Sequence, residues 1–305
     1  MSSSELAPAD ISYHSPQDIL AHPRFVAART AFVDAVLALY EGDVFLTRLL
    51  LEAARTVIFG VIVSLDAQYD ESDRATWPTM GLLKQQMTQF GLASPRRIED
   101  LVARLIHSGF LKSNPAKRDG RVRLLTPTAE MLATDRGWLA AHYLPLHVMF
   151  PDPGYPQPIK DDPSFHRAQR LVAMGFLGHG AQILAGNPAM MLFLSRDAGV
   201  MILIKLIQMA GARDGHLSEL SHEDTGALFG VSRTHVRKIL QDAEREGLVA
   251  LSGRGHRFVE LKPVVWQAFD RFVAESMSGH DLLFKIAQRQ MNTSAPIGLT
   301  MARER

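Results

Sequence analysis

Two stretches of this 305-residue chain set basic side chains behind a serine at helical spacing. In the first, Ser94 precedes Arg96, Arg97, Asp100 and Arg104. In the second, Ser232 precedes Arg233, Thr234, His235, Arg237, Lys238 and Gln241. A guanidinium is a fork of donors that pairs bidentately with the edge of guanine or with a phosphate, and a free N–H at a helix start holds a phosphate oxygen. Each stretch is followed by a second basic group: Lys117, Arg118, Arg121 and Arg123 in one case, Arg254, His256 and Arg257 in the other. The chemistry offered twice over is recognition of a polyanion. Arg96, Arg97, Arg233 and Arg237 suit base edges, and the later groups suit phosphates, which set register without reading sequence. Any one of these arginines is equally compatible with plain solvation, and His235 and His256 fit either role.

The bulk charge of +1 conceals this pattern. Between Ser94 and Arg123 eight Lys or Arg face three acids (+5), and between Ser232 and Lys262 seven face four (+3), which leaves −7 on the rest of the chain. Positive charge concentrated on two short segments is the footprint expected for phosphate contact.

Other chemistries find little support. There is no cysteine, so disulfides and thiolate metal sites are excluded. The twelve histidines include no pair at i, i+3 or i, i+4 spacing on a helix, so no metal is expected. Gly175, Gly178 and Gly180 lack the preceding strand of a nucleotide fingerprint, and are expected to allow close helix packing, beside a small ligand pocket at most. With no nucleophile elbow and no phosphate loop, neither an enzyme nor a cofactor is expected. The apolar runs Val57–Leu65 and Gly199–Ile204 fall short of the roughly 20 residues of a membrane span, and Met1–Asp10 lacks the form of a secretory signal. The expectation is a soluble cytoplasmic protein with no membrane partner.

The elements that must position the basic groups can be read from caps and periodicity. Thr79–Phe90 reads as a leading helix and Gly91-Leu92-Ala93 as a turn. Ser94 caps the next helix and Pro95 sits at its first position, where a missing N–H costs nothing. Ile98, Leu101, Val102, Leu105 and Ile106 fall on its inward face. After Gly109 a hairpin is expected over Leu111–Asn114 and Arg121–Leu125, with Asp119 bracing an arginine at its tip. The second copy runs Glu223–Phe229, the turn Gly230-Val231, the cap Ser232, a helix from Arg233 to Glu246, and strands Leu248–Leu251 and Phe258–Leu261 joined by a basic loop. Gly109 and Gly247 supply the helix stops.

This order of helix, turn, basic helix and hairpin is the winged helix-turn-helix pattern. The run from Arg118-Asp119-Gly120-Arg121 to Leu125-Thr126-Pro127-Thr128 resembles the wing of MarR-type regulators, in which Asp-Gly-Arg precedes a strand ending in Leu-Thr. Gly230-Val231-Ser232-Arg233-Thr234-His235-Val236 resembles the helix-turn-helix of bacterial winged-helix regulators more broadly. The resemblance covers about 50 residues per copy and implies ligand-modulated repression. MarR-type proteins carry one such module per chain and dimerise, so two modules in one chain depart from the family pattern.

A repeat underlies the two modules. Phe45-Leu46-Thr47-Arg48 returns as Phe193-Leu194-Ser195-Arg196 at an offset of 148, and Ser94, Ile98 and Gly109-Phe110-Leu111 return as Ser232, Val236 and Gly247-Leu248-Val249 at an offset of 138. The difference of ten fits a longer acidic loop over 66–78 in the first copy. The fold expected is mainly α: duplicated winged-helix units with two- or three-stranded wings and connecting, dimerisation-type helices. The divisions expected are a flexible segment 1–22, a first unit 23–150 (helix-turn-helix about 79–108, wing about 111–126) and a Pro-rich linker 151–162. A second unit 163–291 (about 222–246, wing about 248–261) and a flexible tail 292–305 follow. The function expected is sequence-specific binding of double-stranded DNA, as a MarR-like repressor that is either a monomeric pseudo-dimer or a homodimer, with a small-molecule effector as an open partner. The alternative is a winged-helix scaffold that binds protein.

Overall fold

The computed structural model describes residues 11–41, 44–50, 52–211 and 217–294. The protein is mainly helical with two small antiparallel sheets. The first half contains α1 (Pro16–Ala21), α2 (Phe25–Tyr40), α3 (Val44–Leu50), α4 (Ala53–Gln68), α5 (Met80–Met87), α6 (Pro95–His107), β1 (Leu111–Pro115), β2 (Arg123–Pro127) and α7 (Ala129–Met149). The second contains α8 (Pro156–Ile159), α9 (Pro163–Ala173), α10 (Leu177–Ala185), α11 (Pro188–Leu194), α12 (Gly199–Gly211), β3 (Leu217–Glu219), α13 (His222–Leu228), α14 (Arg233–Arg245), β4 (Val249–Ser252), β5 (Phe258–Leu261) and α15 (Pro263–Ser294).

Helix starts follow their caps. The hydroxyls of Thr79, Ser94, Ser221 and Ser232 accept from the N–H groups of Leu82, Arg97, Asp224 and His235, and so satisfy donors the helices leave free. Gly109 and Gly247 take φ of +82° and +70° just past the ends of α6 and α14, a conformation that a side chain would strain. The inward face of α6 is Ile98, Leu101, Val102 and Leu105. Ile106, expected there as well, lies 39% exposed on the flank of the apolar stripe. On α14 the buried face is Val236, Ile239, Leu240 and Ala243.

Strands β2 and β4 sit two residues and one residue later than expected, β1 runs one residue longer, and β5 has the expected bounds. Ser113 pairs with Leu125 across β1 and β2, and Val249 pairs with Leu261 across β4 and β5. A third strand, β3, whose position was not assigned from sequence, pairs with β5 and sets Ser218 opposite Val259. In the first half the equivalent edge is only touched, where Leu125 N–H donates to the Pro78 carbonyl (2.8 Å).

One continuous apolar core runs through both halves. Helix α2 lies along α7, α15 lies along α1 and α9, and α4 packs on α9. Each large apolar side chain buried there, such as Phe32, Tyr143, Phe165 and Phe269, contributes about 1.5–3 kcal/mol. Polar clamps fix the crossings. The Asp135 carboxylate on α7 accepts from Arg170 Nε and Nη2 (both 2.7 Å) and lies 2.6 Å from His166 Nε2, both on α9. Burial alone raises that carboxyl, but the Arg170 charge and the His166 contact outweigh it and hold it below the usual range. Arg29 on α2 pairs with Asp270 on α15 (2.9 Å).

Two segments expected to be loose are built into this core. Within 151–162 the prolines permit a short helix, because Pro156 occupies a first-turn position where no N–H is needed. Tyr155 is buried there and donates to Asp281 on α15 (2.8 Å). The N-terminal stretch carries α1, whose Ser15 and Asp18 form a reciprocal capping box and whose Ile19 is fully buried. At the other end α15 continues through 292–294, while 1–10 and 295–305 lie outside the described residues.

Candidate nucleic-acid interface

The two basic segments expected from sequence occupy equivalent places, on α6 with the β1–β2 hairpin and on α14 with the β4–β5 hairpin. On α14, Arg233, Thr234, Arg237 and Lys238 are exposed and Gln241 is half-buried, all along one face at one- and four-residue steps. The side chains of Arg233, Arg237 and Lys238, and of Arg254 in the hairpin loop, have no ion-pair or hydrogen-bond partner among the described residues. His256 is exposed at the loop tip with φ +58°, between Gly253 and Gly255. Arg257 lies over the Phe258 ring and 3.2 Å from Glu219. His235 turns inward instead, its Nε2 2.9 Å from the Asp197 carbonyl.

The first segment is arranged differently. Ser94, Arg96 and Asp100 are exposed, and among the α6 arginines only Arg96 has no side-chain partner in the described residues. Arg97 is paired with the buried Glu52, and Arg104 donates to the Arg48 carbonyl (3.3 Å). In the hairpin, Lys117 and Arg118 lie 3.8 and 4.0 Å from Glu71, and Arg123 donates to Ser113. Asp119 takes the bracing role expected of it, accepting from Arg74 (3.2 Å) and from the Arg121 backbone (3.2 Å), with the Arg121 side chain 98% exposed. Glu71 and Arg74 belong to the acidic loop over 66–78. That loop folds onto its own hairpin and packs Trp77 against Ala116 and Leu124.

Sequence reasoning missed the residues that join the two segments. Glu52, at the N-cap of α4, pairs with Arg97 of α6 and with Arg55 (3.3 Å). Arg55 reaches Asp197 (2.9 Å), whose carbonyl meets His235 of α14. In parallel Arg48 donates from Nε to the Gly230 carbonyl (2.9 Å) in the turn before α14, while its own carbonyl accepts from Arg104. Arg196 donates to Asp242 on α14 (2.8 Å). Burial raises the Asp242 carboxyl, but Arg196 and Arg245 outweigh it and hold it below the usual range. The signal was present, since Arg48 and Arg196 end the repeated tetrapeptide. Their contacts fall on positions 104 and 242, which are 138 apart, the offset of the helix repeat itself.

Among the described residues no helix is long and apolar enough to cross a membrane. The chain matches no protein-family model, no curated protein and no solved structure.

Proposed function

We propose that this chain is a sequence-specific, double-stranded DNA-binding regulator of MarR-like winged-helix design, with two winged units of one polypeptide forming a pseudo-dimer. The observation that carries the reading is the face of α14, where Arg233, Thr234, Arg237 and Lys238 stand exposed and unengaged on a rigid, capped helix beside a basic loop. A helix of this kind fits the major groove, and its first residues reach base edges while loop cations hold phosphates. Repeated element order supports the duplication. Each half runs through a short helix at the repeated tetrapeptide, a buried helix, a second short helix, a capped basic helix, a hairpin and a long closing helix. In each, an early helix packs along the closing one, α2 on α7 and α9 on α15.

Selection of bound sequences from random duplexes tests the reading. An enriched, asymmetric or imperfectly palindromic site, bound with an affinity that falls steeply with salt, is the expected result. Salt-insensitive capture of a protein, with no retardation of any duplex, would replace it with the scaffold reading.

A further inference from the structure

A cavity of about 340 Å³ opens between the two halves. Its walls are apolar and aromatic, with Phe32, Trp138, Phe176, Ile204 and Phe272 contributed by both halves. A second lobe of about 180 Å³ shares Tyr40, Thr56, Val57, Phe90 and Trp138 with it and ends at the Asp135–Arg170 clamp. The combined size suits a small organic molecule rather than a peptide. Trp138 stacks on His142 (centroids 3.6 Å, 27°), and His280 lies 5.3 Å beyond. Burial pushes the two imidazoles down to about 3 and about 4, so both rings are neutral near pH 7.

The polar groups on the walls define the occupant. Among the described residues no lysine or arginine lines the larger lobe, and its carboxylates are Glu52 and Glu275. Arg170 in the smaller lobe is held bidentately by Asp135. An anionic ligand would therefore be desolvated with no free cation to meet it. Glu275 points to the opposite polarity. Its Oε1 accepts from Arg271 (2.7 Å), but its Oε2 is buried with no hydrogen-bond partner among the described residues. A buried acceptor in that state is stabilised by any donor brought to it. One helical turn on, Gly279 lines the cavity, and a Cβ there would meet nothing within 4 Å, so space remains open beside the carboxylate.

We infer that this cavity is a binding site for a small aromatic molecule, uncharged or cationic, whose hydrogen-bond donor is taken by Glu275. Glu52 gives an occupant a route to DNA, because the side chain that lines the cavity is the one that pairs with Arg97 of α6. That last step rests on the DNA-binding reading, whereas the site and its ligand class do not.

The test uses the full chain without DNA and two isosteric fluorophores, 1-aminoanthracene and 1-anthracenecarboxylate. The amine is expected to bind saturably at one site and quench Trp138, with the carboxylate at least about tenfold weaker, since one lost charge-assisted bond corresponds to about that factor. Gly279→Leu starts its side chain from a Cβ that meets nothing within 4 Å and favours its helix, so it is expected to abolish amine binding while the protein stays folded. Glu275→Gln is expected to narrow the preference for amine over carboxylate. Equal affinity for the two fluorophores, unaltered amine binding in Gly279→Leu, or no saturable binding by the folded wild-type chain would each overturn the assignment. A chain that binds the amine but no duplex would sink the DNA reading and leave the cavity's ligand class standing.

Discussion

Around α6, Lys117 and Arg118 lie beside Glu71, Arg97 is paired with Glu52, and Arg104 and Arg123 donate to backbone or side-chain oxygens. Around α14, Arg233, Arg237, Lys238 and Arg254 have no such partners among the described residues, whereas Arg245, Arg257 and Lys262 lie beside Asp242, Glu219 and Glu260. The first region carries more formal charge, +5 against +3, yet more of it is already met within the molecule. Charge counted in a sequence window leaves out the acids that folding brings to it from outside. Glu52 and Glu71 lie upstream of the first window, and both fold onto its cations. The exposed pairs with Glu71 contribute only about 0–1 kcal/mol each. Their consequence here is therefore less for stability than for the potential that a phosphate backbone meets. We expect α14 with its hairpin to dominate DNA affinity and α6 to add register and asymmetry.

The largest expected effect is on what the two regions share. Asp135→Asn removes the negative charge and one of the two acceptor oxygens that hold the buried Arg170, and should cost about 3–5 kcal/mol in a denaturant titration, because it strands a charge in the core. If that loss were absent, the clamp between α7 and α9 would not be what joins the halves. Next in size, Arg233→Ala with Arg237→Ala should weaken specific DNA binding by about 100-fold or more, at about 1–3 kcal/mol for each base contact. Arg96→Ala with Arg97→Ala should cost about tenfold or less. Equal losses in fluorescence anisotropy titrations would break the proposed ranking of the two helices.

Acid tests the common core from another side. The folded His142 and His280 resist protonation, while the unfolded chain takes up protons below pH about 6.5. Their contribution is therefore complete above that pH. It falls as the pH drops from about 6.5 towards the folded values, on the order of 1 kcal/mol per pH unit for each ring. Melting curves from pH 7 to 5 should show this fall, and His142→Gln should flatten it. The smallest effect expected is from Glu71→Gln. Freeing Lys117 and Arg118 should raise affinity a few-fold and steepen the salt dependence of binding, by about one unit of log–log slope per phosphate newly met. An unchanged slope would mean that Glu71 does not mask the first hairpin.

Much of the site was legible because its signals are local. Ser94 and Ser232 mark helix starts through bonds to N–H groups three residues away, and the spacing of Ile98, Leu101 and Val102 assigns the buried face of α6. Residues whose partners are distant in sequence were misjudged or missed. His235 follows helical spacing onto a mixed face, and only Asp197 turns it inward. Tyr155 lies in a proline-rich run that reads as a linker until Asp281 supplies its acceptor. Strand β3 is three residues long, too short for any alternation to show.

By itself the sequence determined the helical class and the two capped basic helices with their hairpins. Hydrogen bonds to the nearest backbone and apolar spacing act within one or two turns of chain, and so are written in adjacent residues. Only the tertiary structure decided which cations stay unengaged, how Glu52, Arg55 and Asp197 link α6 to α14, and that a cavity lies between the halves with Glu275 at its wall. These depend on where helices cross, which is set by packing summed over the whole core.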